Sequence, residues 1–256
     1  MIRWFFRGVS QRRLTTRYPR GPEPAPEGFR ARALLEPGAV SGERARELAA
    51  VCLPGALAVD EHGALTLEDT RCIGCGLCAG ELAMDRGYEL ARRGRGGAAL
   101  PLPFRHSLHI RHVDTGSDGA VEQEIAALLN PYYDMHRLGL FFTASPRHAD
   151  ALLVTGPVTA PMEPALRRAY EAMPEPRVVI AAGTDACSGG IWTGPEVRGG
   201  VDRVLAVDVY IPGDPPSPIA LLHGLLLAAG RVAEAAPASA GRERPMLAAA
   251  ARGGAG

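Results

Sequence analysis

The sequence predicts an α/β fold, in which a domain built on a parallel sheet follows a small α+β domain. Between residues 104 and 233, apolar strand-like runs alternate with segments of helical periodicity. Such alternation is typical of a parallel sheet that is covered on both faces. Ahead of it, residues 32–91 form a short unit that holds four of the five cysteines. The segment "RRGRGGAALPLP" (92–103) is rich in Gly, Pro and Arg and is expected to link the two.

The strands and helices of the second unit can be assigned in chain order. "SLHIRHVD" predicts a strand and "GAVEQEIAALLN" a helix. "ADALLVTG" (149–156) predicts the next strand, and "MEPALRRAYEAM" (162–173), with proline on either side, predicts a helix. "RVVIAAG" (177–183) and "RVLAVDVYI" (203–211) predict two more buried strands, and "SPIALLHGLLLAAGRV" predicts the last helix. Sites in such folds lie in the loops at the carboxyl ends of the strands.

The two ends of the chain differ in composition from the rest. Residues 1–31 begin with "MIRWFFRGVSQRR", which sets aromatic and aliphatic residues beside four arginines. This composition is typical of a helix that lies on anionic lipid or docks on a membrane subunit, and a frayed terminus is the alternative. The Pro-rich stretch 14–31 predicts an extended linker or arm. Residues 234–256 have little apolar surface to bury and are expected to be disordered.

Composition and charge narrow the functional classes. The 28 basic and 28 acidic residues balance, so the charge does not suggest nucleic acid as a partner. No apolar run reaches the length that a membrane span needs. "SQRRLTT" is not followed by the apolar region of an export signal. We therefore expect a cytoplasmic protein at the inner face of the cell membrane.

The stretch "DTRCIGCGLCAGELAM" carries three cysteines at the spacing of 4Fe–4S ligands, namely Cys72, Cys75 and Cys78. The fourth cysteine of the bacterial run is replaced by Leu82. In two-cluster ferredoxins, however, that fourth cysteine ligates the other cluster, so the missing ligand should lie upstream. Cys52, in "CLPGAL", stands at the corresponding place. We therefore expect one 4Fe–4S cluster, held by Cys52, Cys72, Cys75 and Cys78.

The ligand positions of a second cluster fall on Gly42, Ala45, Leu48 and Leu82, and none of these is a cysteine. One set of four ligands is thus absent as a whole, whereas the other is complete. This pattern favours one working cluster over a dead motif. Zinc is the alternative metal, since four thiolates suit it as well. The triplet of cysteines favours the cube, because zinc sites usually come as two separated pairs.

Residues 104–233 resemble the small subunit shared by complex I, where it is the B-type or 20 kDa-type subunit, and membrane-bound nickel–iron hydrogenases of the formate hydrogenlyase type. "ASPRHADALLVTG" and "VDVYIPGDPP" are the most specific stretches. The first half, including "RWFFRGVSQRRLTTRYP", resembles the ferredoxin-like subunit of the same complexes. The resemblance implies a fusion of two neighbouring subunits, with a ferredoxin-like domain followed by a flavodoxin-like one.

The cluster ligands of the resembled small subunit fall here on Asp118, Val121, Asp185 and Asp214. We do not expect these positions to ligate an iron–sulfur cluster, because carboxylates are hard ligands and valine has no donor atom. The three aspartates are expected to lie near one another, balanced by arginine or water, with a hard cation as the alternative occupant. Cys187, two residues beyond one of these positions, is expected to be a small buried residue.

Three histidines recur at every third residue, at 106, 109 and 112. In a strand this spacing alternates faces, so His106, His109 and His112 are not expected to converge on a metal. They are expected to be surface and interface residues.

The leading functional hypothesis is a non-catalytic electron-transfer and scaffold subunit of a membrane-associated NADH:quinone oxidoreductase-like or hydrogenase-like complex. Its implied partners are a large subunit of that type and membrane subunits, and Arg137, Arg147 and His148 match family positions near the large-subunit contact. The alternative is a stand-alone ferredoxin-like binding or regulatory protein whose second domain holds a cation or small ligand. The sequence shows no phosphate loop and no dinucleotide fingerprint.

Overall fold

The structure is a computed structural model that describes residues 2–11, 14–94 and 102–234. Its first half contains two helices and four short strands. They are α1 (Ile2–Gln11), β1 (Arg32–Ala33), α2 (Gly42–Val51), β2 (Leu57–Val59), β3 (Leu65–Leu67) and β4 (Met84–Asp85). Strand β1 pairs antiparallel with β4, and β2 pairs antiparallel with β3. The small α+β unit therefore consists of two two-stranded ladders and helix α2.

The second half is built on one six-stranded sheet. Its elements are β5 (Arg92–Arg93), β6 (Leu108–Asp114), α3 (Ala120–Ala127), β7 (Leu140–Phe142), β8 (Ala151–Thr155), β9 (Val158–Thr159), α4 (Glu163–Glu171), β10 (Val178–Ala182), α5 (Thr184–Ser188), β11 (Val197–Gly199), β12 (Val209–Ile211) and α6 (Pro218–Ala228). The strand order is β5-β12-β10-β8-β6-β7, and all pairs are parallel except that of β5 with β12. The five parallel strands follow the flavodoxin-like order 2-1-3-4-5. The predicted fold class is confirmed.

Two apolar layers cover the two faces of this sheet. Every residue of β8 and β10 is buried, as expected of strands that are covered on both sides. Helix α6 is buried along its whole length, and the hydroxyl of Ser217 accepts a hydrogen bond from the amide of Ala220 at its start. In the part of the chain that the structure describes, no helix is long and apolar enough to cross a membrane.

The predicted linker at 92–103 is wrong in its first residues. Arg92 and Arg93 form the antiparallel edge strand of the sheet, opposite Tyr210 and Val209. An edge strand keeps one side in water and therefore tolerates charged side chains that a central strand would not. The strand predicted at 203–211 is also shorter than expected, since only Val209–Ile211 pairs. Residues 95–101 of the linker and 235–256 of the tail lie outside the described residues.

The Pro-rich arm at 14–31 packs against the second half of the chain. Thr16 and Tyr18 are buried, and the amide of Thr16 donates to the carbonyl of Tyr132. The guanidinium of Arg137 donates to the carbonyls of Thr16 and Tyr18, at 3.1 and 3.0 Å. Arg137, expected near a partner subunit, is thus bonded within the chain, whereas Arg147 is exposed in a short turn. The arm, which comes before the small unit in the chain, is thus bonded to the second half.

Candidate metal centre

The four expected ligand cysteines lie on two neighbouring loops of the small unit. Cys52 ends helix α2, and its carbonyl accepts a hydrogen bond from the amide of Gly55. Cys72 follows a short 3₁₀ turn (Asp69–Arg71), and Cys75 and Cys78 come directly after it. Cys72 is buried, Cys52 and Cys78 are half-buried, and Cys75 is exposed. The set therefore has an inner side at Cys72 and a solvent side at Cys75.

The thiols interact with one another and with backbone amides. Burial raises the pKa of Cys72, and the nearby thiols of Cys52 and Cys75 raise it further. Burial also raises the pKa of Cys78, where the other three thiols add to the effect. The amide of Ala33 donates to Sγ of Cys72 at 3.4 Å, and the amide of Leu57 donates to Sγ of Cys52 at 3.3 Å. Cys72 and Cys78 thus lie within electrostatic reach of each other and of Cys52 and Cys75.

A glycine between the cysteines is required by the close approach of the backbone. Gly74 has φ of 67°, and a Cβ placed on it would lie 2.9 Å from the carbonyl oxygen of Ala31. A side chain would therefore face both an unfavourable backbone angle and a backbone contact that cannot move away. The loop consequently packs closely on the backbone at Ala31.

Three of the four positions expected for the ligands of a second cluster are occupied by buried apolar side chains. Ala45, Leu48 and Leu82 are 0%, 4% and 5% exposed and belong to one hydrophobic core together with Cys72. The fourth position, Gly42, begins helix α2 with a positive φ. Ala45, Leu48 and Leu82 thus stabilise the small unit through burial.

Within the described residues, no group of three or more His, Cys, Asp and Glu side chains, the cysteines included, is placed so that it could hold a single metal ion. His109 and His112 contact different partners. The His109 ring lies beside Asp150 and stacks on Phe141, whereas Nε2 of His112 lies 2.9 Å from the hydroxyl of Thr155. Burial lowers the pKa of His112, which favours its neutral form.

Asp118 and Asp214 lie in loops after β6 and β12, and Asp185 lies in the first turn of helix α5, directly after β10. Burial and, to a smaller extent, the carboxylates of Asp214 and Asp118 raise the pKa of Asp185 to about 6. Burial also raises the pKa of Asp214, and Asp118 adds to this shift. The structure therefore brings Asp118, Asp185 and Asp214 within electrostatic reach of one another, at the edge of the sheet where such folds place their sites.

Arginine does not balance these carboxylates. Among the described residues, none of the three aspartates forms an ion pair with an arginine. Asp185 instead accepts a hydrogen bond from the indole of Trp192 at 2.8 Å, and Asp118 accepts one from the amide of Ala120 at 2.9 Å. The carboxylates are thus held by neutral donors, and burial keeps a proton on Asp185 and Asp214 to higher pH.

The remaining positions are buried and apolar in character. Val121 is 4% exposed and packs in the core between α3 and the sheet. Cys187 is 3% exposed, and its Sγ contacts the carbonyl of Ala181 at 3.5 Å. Burial raises the pKa of Cys187, so it stays a neutral thiol, as expected for a small core residue.

Contacts between the two halves were not predicted. The hydroxyl of Thr184, at the start of α5, donates to the carbonyl of Cys72 at 3.3 Å. Asp69, just before Cys72, pairs with Arg32 at 2.5 Å and with Arg92 of strand β5. The contacts of Thr184 and Asp69 could not be predicted from the sequence, because the packing of the two halves leaves no local sequence pattern.

The match to a known protein family lies in the second half of the chain. The family described as NADH ubiquinone oxidoreductase, 20 Kd subunit matches residues 119–228. An uncharacterized protein of Methanocaldococcus jannaschii is 44% identical over 48% of this chain and 82% of its own length. A probable membrane-bound hydrogenase subunit of Pyrococcus furiosus is 44% identical over 48% of this chain and 74% of its own. The B-type subunit of an NADH-quinone oxidoreductase from Desulfovibrio desulfuricans is 42% identical over 54% and 68%, respectively. The chain therefore belongs to the family of the 20 kDa subunit of NADH ubiquinone oxidoreductase.

Proposed function

We propose that the protein is an electron-transfer and scaffold subunit of a membrane-associated oxidoreductase complex of the complex I or nickel–iron hydrogenase type. It carries one 4Fe–4S cluster, bound by Cys52, Cys72, Cys75 and Cys78. The chain is a fusion: residues 32–91 supply the ferredoxin-like domain and residues 104–233 the small-subunit domain. The relatives named as hydrogenase and NADH-quinone oxidoreductase subunits support this assignment.

The observation that carries the proposal is the complete set of four cysteines, in which Cys72 and Cys78 interact with each other and with the other two thiols. Soft thiolates are the ligands that iron–sulfur clusters require, and amide donors to their sulfurs help to set the reduction potential. In a 4Fe–4S cube each thiolate binds a different iron. The sulfurs of the four ligands are therefore farther apart in such a site than in a site for a single metal ion. The apolar core at Ala45, Leu48 and Leu82 supports one cluster rather than two.

A 4Fe–4S cluster supplies one-electron transfer, and the chain's residues set the two sides from which it is reached. Cys72 is buried against the second half, whereas Cys75 is exposed together with its neighbour Leu77. The solvent side at Cys75 is thus the accessible route for exchange with a partner protein. The inner side leads towards Asp185, whose carboxylate is not a ligand for a cube.

The second half acts as a docking platform in this proposal rather than as a relay. Three of the four family ligand positions are aspartates, and the fourth is the buried Val121. An electron that reaches the cluster therefore lacks the next centre of the family's chain. The cysteine set and the platform lie in direct contact through Thr184.

We propose that helix α1 lies on the anionic lipid of the inner face of the cell membrane. Phe5, Phe6 and Val9 are 55%, 63% and 59% exposed, and Arg3 and Arg7 of the same helix are exposed as well. The helix contains no acidic residue. Apolar side chains beside arginines bind the boundary between headgroups and acyl chains.

The cluster is tested by purifying the full chain without oxygen and measuring iron, acid-labile sulfide and zinc. About four irons and four sulfides per chain, with one cubane signal after reduction, are expected. One zinc per chain and no sulfide would contradict the assignment. Purification from native cells tests the complex, because co-purification of a hydrogenase-type large subunit is expected. A chain that is found alone would support the stand-alone alternative.

Membrane binding is tested by flotation with vesicles that contain anionic lipid. The variant Phe5→Ser/Phe6→Ser and the variant Arg3→Glu/Arg7→Glu should both lose most of the bound fraction, and high salt should release the native protein. Leu129→Ser, which removes another exposed apolar side chain, is the control and should bind normally. Equal binding of all four proteins would contradict the role of α1.

A further inference from the structure

Thr184 connects three segments of the chain through one fully buried side chain. Its hydroxyl donates to the carbonyl oxygen of Cys72 at 3.3 Å and accepts from the amide of Gly213 at 3.2 Å. Its own amide donates to the carbonyl of Gly213 at 2.8 Å. A hydroxyl has one donor and two acceptor sites, so both of its bonds form at once. Thr184 thus ties the loop before Asp214 to the peptide of a cysteine in the other half.

The surroundings of this bond hold the cysteine loop against the second half. Helix α5, which begins at Thr184, packs on the 3₁₀ turn Asp69–Arg71 that leads into Cys72. Asp69 of this turn is paired with Arg32 on one side and with Arg92 of the sheet edge on the other. The loop is therefore fixed by an ion pair at its start and by the threonine hydroxyl at Cys72 itself.

We propose that Thr184 is a positioning residue for the cysteine set, and that the start of helix α5, which carries Asp185 in place of a ligand, holds Cys72 in position. This inference rests on the proposed function, since it assumes a cluster at the four cysteines. The segment at this family ligand position therefore has a structural role, because it supplies the hydrogen bond that fixes the peptide of Cys72.

Two measurable consequences follow from this arrangement. A fixed Cys72 peptide slows the opening of the loop through which iron escapes, so its loss should accelerate release of the cluster. A hydroxyl donor beside the ligand also favours the more negative, reduced state of a nearby cluster, because it offsets added negative charge. Without the donor, the midpoint potential should fall.

The experiment compares four full-length proteins that are purified without oxygen: the native chain, Thr184→Val, Thr184→Ser and Thr115→Val. Valine keeps the shape of threonine and removes the hydroxyl, whereas serine keeps the hydroxyl. Thr115 is the matched control, because it is also fully buried and its hydroxyl donates to the carbonyls of Thr155 and Gly156 within the second half. Iron release to a chelator, the midpoint potential and the thermal midpoint are measured for each.

Thr184→Val should release iron about two- to tenfold faster, as expected for the loss of one hydrogen bond, and its midpoint potential should be lower. Thr184→Ser should restore both values, and Thr115→Val should lower the thermal midpoint without changing either. If Thr184→Val behaves as Thr115→Val does, the inference is wrong while the proposed function stands. If the native chain binds no iron and sulfide, both are wrong.

Discussion

The indole Nε1 of Trp192 donates a hydrogen bond to Oδ2 of Asp185 over 2.8 Å, although Asp185 is only 7% exposed and has two carboxylates nearby. Burial raises the pKa of Asp185 from 3.8 to about 6, and the indole opposes the rise. The folded state therefore holds this proton over a pH range where the unfolded chain has released it.

Stability should fall as the pH rises from about 4 to about 6, because the folded state binds more protons than the unfolded state in this window. Above that window the cost of the buried charge is fully present. Asp185→Asn should therefore stabilise the protein at pH 8, by ~3 kcal/mol at most for a shift of this size. The gain should vanish below pH 4. Denaturant unfolding across the pH range measures the difference.

Two variants serve as controls for this prediction. Trp192→Phe removes the hydrogen bond to the charged form, so the pH-dependent loss of stability should extend to higher pH. Glu61→Gln removes a carboxylate whose side chain is 87% exposed and should leave the profile unchanged. A native-like pH profile in Asp185→Asn would show that another group dominates.

Asp69 should be costly to neutralise, because it is the shared partner of Arg32 and Arg92 at the junction of the two halves. Its side chain is 19% exposed and that of Arg32 is 11% exposed, so the pair is largely desolvated. Asp69→Asn is expected to lower the free energy of unfolding by about 2–3 kcal/mol, since it removes the shorter of the two ion pairs of Arg32 and leaves the longer one, to Asp85 at 3.5 Å. The exposed pair of Glu47 and Arg44 is the comparison, and Glu47→Gln should change stability by less than ~1 kcal/mol. Equal effects in the two variants would contradict a structural junction at Asp69.

Leu82 should behave as a core residue rather than as a relic of a metal site. It is 5% exposed and packs with Ala45 and Leu48, so Leu82→Ala is expected to cost about 2–4 kcal/mol through lost burial and a cavity. Leu77→Ala removes the same atoms from a side chain that is 61% exposed and should be nearly neutral in stability. Urea unfolding measures both. A neutral Leu82→Ala would mean that the space of the second cluster is not a packed core.

The fold class could be predicted because its signals are local. The uninterrupted apolar runs of β8 and β10 predict strands that are covered on both faces, and proline beside α4 marks its limits. The strand at Arg92 and Arg93 could not be predicted, because two arginines carry no apolar pattern and pair only through the backbone of β12. Strand-like residues at 203–207 lie outside the strand, since the chain turns at Val201–Arg203 before it reaches the sheet.

For the candidate site, too, the local features could be predicted from the sequence and the long-range contacts could not. The spacing of Cys72, Cys75 and Cys78 is a local signal, and the family resemblance located the three aspartates. What the sequence did not indicate are the partners that come from elsewhere in the chain. Trp192 stands where arginine was expected at Asp185, and Thr184 reaches Cys72 across 112 residues. Such contacts depend on how the two halves pack, which no local pattern records.

A 4Fe–4S cluster needs Cys52 as its fourth ligand, and the iron and sulfide content of Cys52→Ser tests this role. Cys75→Ser serves as the positive control and Cys187→Ser as the negative control, because Cys187 is a buried core thiol. We expect Cys52→Ser and Cys75→Ser to lose the cubane signal and much of the iron to a similar extent, and Cys187→Ser to keep about four irons per chain. A Cys52→Ser protein with native iron content and an unchanged spectrum would contradict the account.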